Sequence, residues 1–323
     1  MATIAAEDFV TALYRALLRR EPDPDGLAHY IARLADVGPT EIVSAFAGSE
    51  EFRALDRPVD LRWLEMRGPM PVEARIGPAD LDRLWTHAGG VWTHYGEDEP
   101  FWSVLTQDRF RSRQIDDASI DAFYASGRDE ADRLEAWLAR AGLAGQQLGT
   151  AVEYGCGIGR VSGWLAERCD RLHALDISST HLDAARIHLQ NRNIVNVDLI
   201  HVADRSALRH LADIDLFYSI IVLQHNPPPI ILDILEQAFA GLNPNGLAFF
   251  QVPTFAPDYS FALENFWHDV APHKTMEIHF VPQAKIFELA RKWGLELIEV
   301  QPDASIGNCD RWISNTFLMR KGR

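Results

Sequence analysis

Apolar positions along this chain of 323 residues follow two different periods. Over residues 7–18 the side chains Phe9, Val10, Leu13 and Leu17 recur at helical spacing, and similar patterns begin near Asp25 and near Thr40. Residues 1–56 therefore predict a small bundle of three short helices. Past residue 146 the pattern changes to short apolar runs at 150–154, 171–175, 197–202, 215–222 and 247–252, separated by helix-length or Gly/Pro-punctuated segments. Strands alternating with helices predict a doubly wound α/β sheet, mostly parallel. The last two runs, 295–300 and 312–320, have only a loop between them, too short for a crossover helix. They predict an antiparallel hairpin that completes a seven-stranded sheet.

Two further segments are set off by composition. Residues 57–80 hold Pro58, Pro69, Pro71 and Pro78 with Gly68 and Gly77, which reads as an extended linker. Residues 81–145 then concentrate Trp85, Trp92, Tyr95, Phe101, Trp102, Phe110, Phe123 and Tyr124, a helical aromatic preface to the sheet domain at 146–323. A stretch at 253–281 is longer than an ordinary strand-to-helix connection, and insertions of that length are usually functional.

The chemistry begins at residues 152–160, Val-Glu-Tyr-Gly-Cys-Gly-Ile-Gly-Arg, where a buried strand must turn sharply into a helix. Glycine permits the positive φ and the close approach to a ligand that such a turn needs, although a tight turn alone also calls for it. A dinucleotide fingerprint requires its third glycine three residues after the second, and that position is Arg160. The spacing argues against NAD. Asp176 closes the second strand, where its carboxylate can accept two hydrogen bonds from a ribose, each worth about 1.5–3 kcal/mol.

Glu153, Gly155, Gly157 and Gly159, with Cys156 inside the loop, resemble the first motif of class I S-adenosylmethionine-dependent methyltransferases, and the terminal hairpin resembles the same family. The resemblance implies S-adenosyl-L-methionine as cofactor, with Asp176 on the ribose and Ala203 and Asp204, after the third strand, on the adenine. It also implies a cofactor role for Ser219 at the end of strand four, and for Tyr124 and Arg128 in a lid over the methionine end. The segment Leu223-Gln224-His225 with Pro227 and Pro228, and the tail 312–317, look similar to methyltransferases associated with bacterial surface glycans. That likeness implies a sugar or glycan hydroxyl as acceptor, with a secondary-metabolite O- or N-methyltransferase and a non-catalytic scaffold for glycan enzymes as the alternatives. The first 56 residues resemble a small helical domain of unknown function found beside glycan-processing enzymes and in secreted repeat proteins. It implies no catalysis and leaves a protein partner as its expected role.

Two histidines are candidate bases. His225 falls in the turn after strand four, at the carboxyl edge where open α/β sheets bind ligands, and a neutral imidazole can take a proton from a hydroxyl. It can equally cap a helix or order the cofactor loop. His279 lies in the insertion among aromatic residues suited to stacking on a sugar ring, as they are to core packing. Asn226-Pro227-Pro228-Pro229 departs from the Asn-Pro-Pro-Tyr motif of amino-group methyltransferases, and its prolines fit the opening of a helix.

Charge and cysteine content narrow the partners. With 31 basic and 46 acidic residues the net charge is −15, which repels nucleic acid. Three cysteines, Cys156, Cys169 and Cys309, form neither a disulfide framework nor a metal-ligand spacing, which fits a reducing cytoplasm. The gaps among His268, His273 and His279 do not place them on one helix face, and no metal is expected. Residues 21–26 copy the start of a calcium loop, but its twelfth position is Ala32 where a bidentate Glu is needed. Asp25 reads instead as a helix cap after Pro22 and Pro24. No apolar run is long enough to span a bilayer, and no membrane insertion is expected.

Overall fold

The computed structural model describes residues 6–55, 70–257, 259–271, 275–306 and 312–323. Its contacts divide the chain into two units, residues 1–67 and 68–323.

In the first unit, helix α1 (Ala6–Leu18) buries Val10, Tyr14 and Leu18, one face at four-residue spacing, against Ile42 and Phe46 of α2 (Pro24–Ala47). The Tyr14 and Phe46 rings meet edge-on at 5.0 Å. The cap of α2 is Asp23 rather than the expected Asp25: its carboxylate accepts from the Gly26 amide at 2.8 Å, and Pro24 takes the first turn, where its missing N–H is harmless. Gly38, at φ 79°, breaks α2 just before Pro39, so a new helical segment starts where the pattern at Thr40 places it. A short α3 (Glu50–Leu55) follows.

The second unit is built on seven strands: β1 (Leu148–Tyr154), β2 (Cys169–Asp176), β3 (Val197–His201), β4 (Ile214–Ser219), β5 (Leu242–Phe255), β6 (Leu295–Asp303) and β7 (Ile313–Lys321). Their order is β3-β2-β1-β4-β5-β7-β6, parallel through β5 and antiparallel in β5–β7–β6. Alternation sorts the strand side chains onto two faces. Val152, Phe217 and Phe250 pack with α4 (Pro78–Asp98), α8 (Pro228–Gly241) and α9 (Gln283–Lys292), while Ala151, Leu216 and Phe249 pack with α5 (Asp117–Arg140) and the short α6 (Ser162–Leu165). Helix α7 (Ser179–Asn191) follows β2. The edge strand β6 carries charges, with Glu296 paired to Arg320 at 2.9 Å and Glu299 to Arg140 at 2.8 Å.

Part of the stretch expected as linker is bound to this unit. Val72 forms a bridge with Phe261 of the insertion, and the Glu73 amide donates to the Phe261 carbonyl at 2.9 Å.

Helix α5 presses on the glycine loop through Gly127, where an added Cβ would sit 1.9 Å from the Arg160 carbonyl oxygen. Gly127→Ala is expected to destabilise the fold by about 1–3 kcal/mol through overpacking. Gly90→Ala, on α4 with open space around it, should be neutral or raise stability slightly. Thermal unfolding of both variants checks this, and equal midpoints would contradict the close contact.

Candidate cofactor and acceptor site

The loop after β1 hangs from the end of β2. Gly155 and Cys156 donate their amides to the Leu175 carbonyl at 2.8 and 2.9 Å, and the Gly157 amide donates to Asp176 Oδ2 at 2.8 Å. Gly155 and Gly157 have φ of 78° and 54°, so any other residue there would be strained. A Cβ on Gly155 would also meet Val222 at 2.3 Å, and one on Gly157 would meet Val104 at 2.7 Å. The Asp176 carboxylate accepts in addition from the Ser178 amide at 2.8 Å through Oδ1, which leaves lone pairs on both oxygens for a ligand.

A pocket opens above this loop at the carboxyl edge of the sheet. Glu153, Gly155, Cys156, Gly157, Asp176 and His225 all line it. Burial pushes the Glu153 carboxyl up to about 7, opposed by the hydrogen bond it accepts from Ser162 Oγ at 2.5 Å and by the nearby Arg160. Burial, with Asp176 and Glu153 nearby, drives the Cys156 thiol well above its usual range, so it is inert packing rather than a nucleophile. Gly159 does not reach the pocket wall and serves the turn, its missing side chain facing Ala185.

His225 is held by a directional chain. The Ile221 amide donates to Gln251 Oε1 at 3.0 Å, Gln251 Nε2 to Gln224 Oε1 at 3.0 Å, and Gln224 Nε2 faces His225 Nε2 at 3.1 Å. His225 Nδ1 donates to the Glu277 carbonyl at 2.8 Å, which assigns the proton to Nδ1 and the lone pair to Nε2. Burial lowers its pKa to about 4 despite that carbonyl, and the ring stays neutral at neutral pH. Ile221, beside it in the wall, sits at φ 59°, a strained conformation for a β-branched residue.

Other candidates lie elsewhere. His279 sits behind His225, not in the pocket, with Nε2 2.8 Å from Glu277 Oε2 and Nδ1 2.8 Å from the Tyr259 hydroxyl. Ser219 is fully buried and its hydroxyl donates to the Tyr154 carbonyl at 3.0 Å, tying β4 to β1. Ala203 and Asp204 line a separate depression with Asp82, Trp85 and Arg205, and Asp204 accepts from the Ser206 amide at 2.7 Å.

The lid differs from expectation. Phe123 and Gly127 form the face of α5 that meets the loop, and Tyr124 and Arg128, each one position further round, do not line the pocket. Tyr124 stacks on His188 with centroids 3.5 Å apart, and Arg128 pairs with Asp132 at 3.5 Å on the surface. Trp92, Ser103 and Val104 cover the pocket instead. The Ser103 hydroxyl lies 3.0 Å from His181 Nε2, and His181 Nδ1 lies 3.6 Å from Asp176 Oδ1. His181, 78 residues from Ser103, carries no local sequence signal for this role. In the insertion His268 is exposed beside Asp269, and His273 lies outside the described residues. No group of three or more metal-ligating side chains occurs among the described residues. No helix there is long and apolar enough to cross a membrane.

Residues 151–246 match a family model described as a methyltransferase domain, and residues 1–55 match a domain of unknown function (DUF4214). Two curated relatives are ubiquinone biosynthesis O-methyltransferases. The one from Azoarcus sp. (strain BH72) is 27% identical over 164 residues, which is 49% of this chain and 68% of the relative. That from Hydrogenovibrio crunogenus is 29% identical over 157 residues, 46% of this chain and 63% of the relative. Among solved structures, magnesium protoporphyrin IX methyltransferase from Synechocystis PCC 6803 with bound SAH aligns with a TM-score of 0.48 at 16% identity, covering 72% of this chain and 99% of that one.

Raised from 4.5 to about 7, Glu153 keeps in the folded state a proton that the unfolded chain releases between those pH values. Folding stability contributed by this group is therefore lost as pH rises through that window, by about 3 kcal/mol in full. The ligand-free Glu153→Gln variant should gain that much relative to the original chain between pH 4.5 and 8. Denaturant unfolding at the two pH values checks it, and a constant difference contradicts it.

Proposed function

We propose that this chain, an S-adenosylmethionine-dependent methyltransferase, moves its methyl group to a hydroxyl of a sugar or surface glycan. The observation that carries the reading is the placement of His225 in the same pocket as the glycine loop and Asp176, with the Trp92 ring 5.4 Å from it. The pocket fits the cofactor in two respects: Asp176 retains acceptor capacity for a ribose, and the glycine turns keep side chains out of the loop. When bound, the cofactor supplies a methyl group already activated on a sulfonium.

What the chain itself must do is align the acceptor, and orientation alone can supply about 7–11 kcal/mol of the barrier. Trp92 offers an aromatic face for the C–H face of a sugar ring. His225 accepts the hydroxyl proton at Nε2, which requires the Gln224 amide to turn from that lone pair. A base of pKa about 4 is weak, and the alignment outweighs it. The free thiols Cys156 and Cys169 suit action in a reducing cytoplasm.

A second reading, O-methylation in ubiquinone biosynthesis, takes its support from the names of the two curated relatives. Mass spectrometry of surface glycans and of quinone lipids from cells with and without the protein separates the two. Loss of one methyl from a glycan supports the first reading; loss from a quinone alone overturns it.

His225→Ala should lower kcat by about 100-fold, the lower end for acid–base catalysis, with cofactor affinity nearly intact. Because burial keeps the ring neutral down to about 4, the activity of the original chain should fall only as pH drops toward 4, and the variant should lack that limb. A limb near the ordinary histidine value, about 6.5, would contradict the buried, neutral base.

A further inference from the structure

The insertion returns toward the sheet behind His225, and its hydrogen bonds grip the turn after β4 at two points. His225 Nδ1 donates to the Glu277 carbonyl at 2.8 Å, and the His279 amide donates to the Gln224 carbonyl at 2.7 Å. Both contacts come from alternate residues of one short segment. That segment is itself pinned on either side: the Met276 amide donates to the Tyr95 hydroxyl of α4 at 3.1 Å, and the Val281 amide to the Pro253 carbonyl of β5 at 2.9 Å.

A second chain of bonds runs behind this backbone. Glu277 Oε2 lies 2.8 Å from His279 Nε2, and the Tyr259 hydroxyl lies 2.8 Å from His279 Nδ1. A carboxylate only accepts, so Nε2 carries the proton, and Nδ1 of the neutral ring accepts from the phenol. Burial holds that phenol above its usual range, so it stays protonated and donates. His279 is 5% exposed, with the Phe261 and Phe266 rings 5.9 and 6.2 Å from its imidazole. A satisfied buried network of this kind rigidifies what it holds. What it holds here is the side chain of the residue whose carbonyl meets His225.

We propose that Tyr259, His279 and Glu277 are positioning residues for His225: they fix the Glu277 carbonyl, and so keep the proton of His225 on Nδ1 and the lone pair on Nε2, where the acceptor's proton would go. The proposal deepens the functional reading above and rests on His225 being the base. None of the three lines the pocket, which separates holding the base from contacting the acceptor.

Nitrogen NMR of the isotope-labelled full chain reads the tautomer directly, with His225→Gln removing its resonances and so assigning them. The original chain should show His225 in the Nδ1–H form alone. Glu277→Met, which takes away the side-chain acceptor, and Tyr259→Phe, which takes away only a hydroxyl, should bring in the Nε2–H form. Methyl transfer from labelled S-adenosylmethionine to a surface-glycan extract of cells lacking the protein should slow by about 10-fold in Glu277→Met and about 3-fold in Tyr259→Phe, both short of the loss in His225→Ala. The KM for S-adenosylmethionine should stay within about twofold, since the cofactor loop is not touched. Glu277→Gln keeps an oxygen that accepts from Nε2 and should restore both the single tautomer and the rate. A tautomer that stays single in Glu277→Met and Tyr259→Phe overturns the proposal, even where their unfolding temperatures fall. Tyr259→Phe keeps the shape of the site, so the test stands if Glu277→Met does not fold, and the NMR arm needs no acceptor. If His225→Ala transfers methyl at the original rate, the functional reading is what fails, whatever the tautomer.

Discussion

The amide of Gly157 donating to the carboxylate of Asp176 fixes the geometry on which the rest of the site depends. It closes the loop after β1 onto the last residue of β2, while Gly155 and Cys156 share the carbonyl just before it. Those bonds require the left-handed turns that glycine adopts without strain. The consequence is a cradle of backbone, free of side chains at its glycines, beside a carboxylate.

Elements from before the sheet then cover this cradle by close approach. Gly127 lets α5 touch the Arg160 backbone, and Gly96 lets α4 approach Ser178, where a Cβ would meet Oγ at 2.4 Å. Ser103 reaches His181, which faces Asp176, so the cover and the anchor share one line of polar atoms. On the other side, Ile221 holds a strained turn through Gln251, and the same glutamine orients Gln224 against His225.

Sequence reading reached what is local and periodic. Seven strands, the terminal hairpin, the glycine turn and the place of Asp176 at the end of β2 follow from alternation, punctuation and spacing within short windows. It was less sure where one residue of helical phase decides the outcome. Tyr124 and Arg128 looked like the lid, but Phe123 and Gly127 hold the inward face, a choice that depends on how α5 docks. Asp23 rather than Asp25 caps α2 because proline can occupy the first helical turn. His181, Ser103 and Val104 were not legible at all, since their meeting is tertiary. Ala203 and Asp204 lie where strand order puts them, in a depression separate from the main pocket. Arg160 was visible only as the residue that excluded a dinucleotide; its burial is a product of tertiary packing.

The central claim is that Asp176, held by the glycine loop, reads the ribose of S-adenosylmethionine. Equilibrium titration of S-adenosylhomocysteine and NAD into the full chain and into Asp176→Asn tests it most directly. The account predicts that only S-adenosylhomocysteine binds the original chain, and that Asp176→Asn, which keeps shape and removes charge, weakens it by about 10- to 100-fold. Unchanged affinity in the variant, or binding of NAD in its place, would contradict it.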